Sequence, residues 1–142
     1  MVANGYARTY RVNSILTASP GQLVLMLFDG VLKALAIARD AFEHQPENAR
    51  RIEVINHQLM KAQAILHELQ GGLNHEAGGE FARTMHRLYD YHVRRLFEAN
   101  LRKQVAPVIV IENLVRYLRD AWAEMLSNQD GTAPVESVRG VA

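Results

Sequence analysis

A chain of 142 residues, 49% hydrophobic and 22% charged with a net charge of +1, describes one soluble domain with a sizeable core and no bulk pull toward a polyanion. It has no cysteine, which excludes a disulfide framework and a thiolate zinc site and fits a reducing compartment, so a cytoplasmic location is expected. Met1 to Ser19 is polar and lacks the apolar core of a signal peptide, and the longest apolar run, Leu23 to Phe28, is too short to span a bilayer; membrane insertion is not expected.

Residues 1–18 read as a polar N-terminal arm in which Tyr6, Tyr10, Val12 and Leu16 are spaced apolar anchors. Such an arm can lie across a groove and be displaced by a better ligand. The first helix opens at Ser19-Pro20: the serine caps free N–H groups, proline suits the first helical position, and Gln22 completes a capping box. Val24, Phe28, Val31, Leu35, Ala38 and Phe42 then recur at alternating spacings of four and three, a packing seam that Pro46 brings to an end. Leu23, Leu25, Leu27 and Leu32 spread apolar surface around the other sides, so this helix is expected to lie centrally.

The second helix, roughly Glu47 to Gln70, carries Ile52, Ile55, Leu59, Ala62, Leu66 and Leu69 and stops at Gly71-Gly72. A loop through Gly78-Gly79 leads to a third helix, about Glu80 to Lys103, with Phe81, Met85, Leu88, Val93, Leu96 and Ala99 approximating one face. The fourth starts near Pro107, with Val108, Ile111, Val115, Leu118, Trp122 and Met125 as its seam, and residues 128–142 read as a disordered tail. Four similar helices with short connections predict an all-α, antiparallel up-down four-helix bundle over residues 19–127.

Catalytic machinery is not visible. A bundle metal site needs inward carboxylates with Glu-x-x-His pairs on facing helices; no such pair occurs, Glu53 and His57 are four apart without a second pair, and His86 and His92 fall on different faces. There is no P-loop, Gly-x-Ser-x-Gly or Gly-x-Gly-x-x-Gly, so no cofactor, metal or catalytic residue is assigned. The third helix holds Arg83, Arg87, Arg94, Arg95, Arg102 and Lys103 against Glu80, Asp90 and Glu98. Without a single-strand-binding motif this reads as a solvated basic face, and a nucleic-acid partner is not expected.

The positive signal is apolar surface beyond the needs of a bundle. On the fourth helix Pro107, Val110, Leu114, Tyr117 and Ala121 make a second stripe beside the seam; Met60 and Ile65 flank the seam of the second helix, and Phe97 and Leu101 form an outlying pair on the third. Such positions either thicken the core, bury a homodimer interface or line a groove for a foreign amphipathic helix. The candidate partner-binding residues are therefore Tyr6, Tyr10, Leu16, Met60, Ile65, Phe97, Leu101, Val110, Leu114 and Tyr117.

The run Leu16-Thr17-Ala18-Ser19-Pro20, followed by Leu23-Val24-Leu25-Met26-Leu27-Phe28-Asp29-Gly30, resembles the opening of the FliS family of flagellar secretion chaperones. Lys61 to Leu69, Gly78-Gly79-Glu80, Leu88-Tyr89-Asp90-Tyr91, Arg95 to Asn100 and Leu118 to Trp122 resemble it in order and spacing, so the similarity spans roughly Tyr6 to Met125. Phe28 stands where the family usually has Tyr, and Gly21 replaces a commoner charged residue. The resemblance implies a cytoplasmic chaperone that binds the C-terminal segment of flagellin, holds off premature polymerisation and keeps the subunit competent for type III export. It also implies contact with the flagellar export gate and, in some bacteria, with a competing flagellin-binding regulator. The alternative is an interaction or dimerisation scaffold unrelated to flagellin.

Three scaffold expectations complete the reading. Asp29, within a nearly continuous apolar run, calls for a neutralising arginine, with Arg94 or Arg95 the candidates. Gly30 is expected to permit close helix approach, so that Gly30→Ala destabilises. Trp122 is expected to anchor the core rather than to touch a ligand.

Overall fold

A computed structural model describes residues 17–131, and all four expected helices are present: α1 (Pro20–His44), α2 (Ala49–Gly71), α3 (His75–Arg102) and α4 (Ala106–Gly131). Among the described residues there is no strand. Tyr6, Tyr10, Leu16 and residues 132–142 lie outside them.

Local chemistry sets the boundaries. The capping box at α1 is complete: the Gln22 N–H donates to Ser19 Oγ at 3.2 Å and the Ser19 N–H donates to Gln22 Oε1 at 3.1 Å, with Pro20 in the first turn. Asn48 caps α2 through the Arg51 N–H at 3.1 Å, and Asn74 caps α3 through the Ala77 N–H at 3.0 Å. That second asparagine starts α3 ahead of the expected loop, so Gly78-Gly79 falls inside the helix as a kink at Gly79, whose φ of 52° suits a residue without Cβ. Lys103 ends α3 with φ 51°, in the left-handed region. Past Ser127, where the periodicity fades, α4 continues to Gly131, because extending an established helix adds a hydrogen bond for each residue fixed.

α1 packs against α2 and α4, and α3 packs against the same two, so α1 and α3 sit diagonally across a four-membered ring. The cross-links show antiparallel neighbours. Trp122 Nε1 donates to the Gly21 carbonyl at 2.8 Å, joining the end of α4 to the start of α1, while Arg39 Nε donates to Glu112 at 2.8 Å at the other end. Asn100 donates to Asn56 at 2.9 Å and Gln70 to the His86 carbonyl at 3.0 Å, which orients α2 against α3 in the same way. The arrangement is the expected up-down bundle.

Leu35, Ile55, Leu59, Leu66, Leu96, Ile111 and Val115 fill the centre, and alanines at 34, 38, 62 and 99 let the helices approach. By length and composition alone α1, with a mean hydropathy of 1.7 over its most apolar stretch, is long and apolar enough to cross a membrane, although its longest unbroken apolar run is short. Here Phe28, Val31, Ala34, Leu35, Ala38 and Ala41 instead bury one of its faces in the bundle core. On α3 the buried line is Ala82, Met85, Tyr89, His92, Leu96 and Ala99, a stricter three-four repeat than the expected one. Leu88 and Val93 are half-buried beside it, and Phe81 is 49% exposed. A count of apolar residues alone skips His92 and so shifts the phase.

Asp29 is paired, but with Arg119 of α4 at 2.8 Å, and it is 52% exposed at the side chain. Arg94 and Arg95 belong to the diagonal helix and are out of its reach.

Candidate interaction surface

The α3–α4 pairing is the loosest of the four. Buried α4 residues Val108, Ile111 and Val115 face the centre, while Val110, Leu114 and Tyr117 line up beside them on the surface, Tyr117 at 75% exposure. In water this stripe leaves apolar area exposed, the mark of an interaction surface.

Followed toward the end of α4, the stripe meets a cavity of about 290 Å³. Leu27 and Phe28 of α1, Leu69 of α2, Phe81, Met85 and Tyr89 of α3, and Trp122 and Met125 of α4 line it, with Glu68 as its sole charged residue. Burial pushes the Tyr89 hydroxyl up to about 12, so it stays neutral. Trp122 packs against the core as expected, but its ring also walls this cavity, held by the bond to Gly21. A Cβ at Gly21 would lie 2.6 Å from Leu126 Cδ2, so glycine there lets the end of α4 close against the start of α1. The sequence reading did not anticipate the cavity. The seam expected on α3 includes Phe81, and only its phase relative to a line that includes His92 marks it as a wall residue.

A second concavity lies between α2 and α3. Met60, Phe97 and Leu101, the last 72% exposed, share it with Asn56, Gln63, Asn100 and Lys103. Ile65 is not among them: it lies on the α1 side of α2, where its Cδ1 would stand 3.2 Å from a Cβ at Gly30. The two surfaces approach each other around the α3–α4 turn. Lys103 borders the α2–α3 concavity, and the next residues, Gln104, Val105, Ala106 and Pro107, form another with Arg95 and Val110. Met60, Phe97 and Leu101 thus lie in a concavity before the turn and Val110 in one at the turn, with exposed Leu114 and Tyr117 following on α4.

Of the ten candidate residues, the structure thus gathers Met60, Phe97 and Leu101 in one concavity, places Val110 in another at the turn and leaves Leu114 and Tyr117 exposed on α4. Ile65 stands apart, and Tyr6, Tyr10 and Leu16 lie outside the described residues. No group of three potential metal ligands occurs among the described residues. What this geometry can do is hold an apolar strip of another chain.

The family described as flagellar protein FliS matches residues 2–129. The chain is 36% identical over 128 residues to the flagellar secretion chaperone FliS of Bacillus subtilis, covering 90% of both. It is 38% identical to the FliS chaperone of Salmonella typhimurium, over 84% of this chain and 86% of that one. With the FliS chaperone of Escherichia coli the identity is 38%, over 85% and 86%. These are chaperones and not enzymes, which agrees with a site built of apolar walls. The chain belongs to the FliS family of flagellar secretion chaperones.

Proposed function

We propose that this chain is a cytoplasmic export chaperone for flagellin, holding the C-terminal segment of the subunit along the belt that runs from Met60, around the α3–α4 turn, to the cavity beside Trp122. The succession of apolar concavities on either side of the α3–α4 turn, with exposed Leu114 and Tyr117 between the turn and the cavity, is the observation that supports the reading. A single compact ligand needs one pocket; a segment that folds as it binds uses several shallow concavities in sequence. Covering the apolar assembly surface of flagellin prevents polymerisation before export and leaves the subunit unfolded enough for type III secretion. In this reading Tyr6, Tyr10 and Leu16 belong to an N-terminal arm that covers part of the binding groove until flagellin displaces them. The export gate and a flagellin-binding regulator are further partners of the loaded or empty chaperone.

Isothermal titration with a C-terminal flagellin fragment from the same organism tests this. The expected result is one-to-one binding with a large negative heat-capacity change, as folding on the surface buries apolar area. A fragment lacking the segment does not bind. Absence of binding at high micromolar concentration, together with self-association of the chain alone in sedimentation, would overturn the reading in favour of a dimerisation scaffold.

A further inference from the structure

We propose that the cavity beside Trp122 is the anchor site for a bulky apolar residue of the cargo that has a basic residue beside it, with Glu68 taking the cation. The inference rests on the cargo reading and specifies the chemistry of the segment that enters the cavity.

The cavity walls carry one charge. Glu68 is the only charged residue among them, it is exposed, and it has no ion-pair partner among the described residues. Arg119, next to the wall residue Leu118, is committed elsewhere, to Asp29 at 2.8 Å and Asp120 at 3.3 Å. The backbone adds potential of the same sign. Glu68 stands in the last turn of α2, which holds no basic residue, and Gly72, another wall residue, caps that end. The negative end of the helix dipole is therefore not offset by a cation of its own helix. A carboxylate and a helix C-terminus beside low-dielectric apolar walls focus a negative potential at the cavity, which draws a cation and turns a carboxylate away.

An apolar cavity of about 150 Å³ is enough for benzene, so about 290 Å³ holds a large aromatic side chain or a pair of aliphatic ones. Tyr89, a wall residue only 3% exposed, makes no hydrogen bond through its hydroxyl among the described residues, and a carbonyl of the incoming chain would accept from it. The basic neighbour of the anchor stays at the rim, since lysine and arginine lay their stems along apolar surface and keep the charged head in water. A nucleic acid would bring phosphates toward Glu68, and a purely apolar segment would leave the carboxylate unused.

The test uses the full chain and two synthetic peptides that share a phenylalanine anchor and differ only in the residues flanking it, lysine in one and glutamate in the other. Trp122 is the single tryptophan of the chain, so with tryptophan-free peptides its emission reports on the cavity. The lysine peptide is expected to shift that emission and to bind about threefold more tightly at low salt, a preference that fades as salt screens an exposed pair. Glu68→Lys should invert the preference and Glu68→Asp retain it. Ala121→Phe, which fills the cavity from an exposed position on α4, should weaken both peptides. Equal binding of the two peptides, a preference unchanged by Glu68→Lys, undiminished binding to Ala121→Phe, or Trp122 emission unmoved at saturation overturns the proposal. So does emission that changes with protein concentration alone, which would place a second copy in the cavity. Emission that responds to Tyr10→Ser but to neither peptide overturns it as well, in favour of the chain's own N-terminal arm. The flagellin fragment separates the two readings: if it binds while the peptides show no preference, the charge inference fails alone. If the peptide preference holds but flagellin does not bind, the cargo reading fails alone.

Discussion

His92 occupies the middle of the core, fully buried, with neither ring nitrogen hydrogen-bonded and the rings of Tyr89 and Tyr91 as neighbours. Burial pushes its pKa down from 6.5 to about 4. Between those values the unfolded chain binds a proton that the folded chain refuses, so stability falls as pH drops through the window and the loss is complete below it. At pH 5 the loss amounts to about 2 kcal/mol. In His92→Leu that slope should disappear, and at pH 7.5 the variant should be more stable by about 1–2 kcal/mol, since two desolvated ring nitrogens are removed. Urea unfolding of both proteins at the two pH values measures this, and parallel pH profiles would refute it. At Gly30 the geometry turns the sign expected from sequence. An added Cβ meets a single atom, Ile65 Cδ1 at 3.2 Å, the end of a half-buried flexible side chain. That methyl can rotate away, so the helix-propensity gain prevails and Gly30→Ala should stabilise by about 0.5 kcal/mol, rising toward 1 kcal/mol in an Ile65→Val background where the contact is absent.

At the scale of helices, the two long-range ion pairs of α1 differ in what their loss leaves behind. Arg39 makes a two-pronged contact with Glu112, at 2.8 and 3.3 Å, and the glutamate side chain is only 5% exposed. Arg116, at 3.6 Å, is its second cation. Asp29, facing Arg119 nearer the start of α1, remains half in water. Arg39→Ala should therefore lower the urea midpoint clearly more than Arg119→Ala, because it strands a buried carboxylate with a weaker partner. Equal shifts would show that Arg116 compensates in full. The existence of the four helices and the cap of α1 were legible because Ser19, Pro20, Pro46 and the three-four repeats act locally, whereas the Asn48 and Asn74 caps, and with them the start of α3, were not. The partner of Asp29 was not, since it depends on which helices are diagonal, and linear sequence carries no such term. The phase of α3 was hidden for another reason: its line passes through a histidine, which a hydrophobicity count treats as surface.

For the molecule as a whole, the exposed apolar residues were readable singly, whereas their connection was not. Phe97 and Leu101 announce themselves by spacing on α3, and Val110, Leu114 and Tyr117 on α4, but the route between them exists only because the short turn after Lys103 places both helix ends side by side. The cavity is less legible still, as it takes walls from all four helices. A ligand that follows the whole belt should respond to changes at both ends. Leu101→Asp and Leu114→Asp each put a carboxylate on an exposed position, so the fold should be retained while affinity for the flagellin fragment falls, by about tenfold or more apiece. Shortening the fragment from one end should abolish sensitivity to one substitution and preserve sensitivity to the other, because contacts far apart on the belt contribute independently. If instead every truncation removes both sensitivities together, the segment folds as one unit against a single face, and the belt is two surfaces rather than one path.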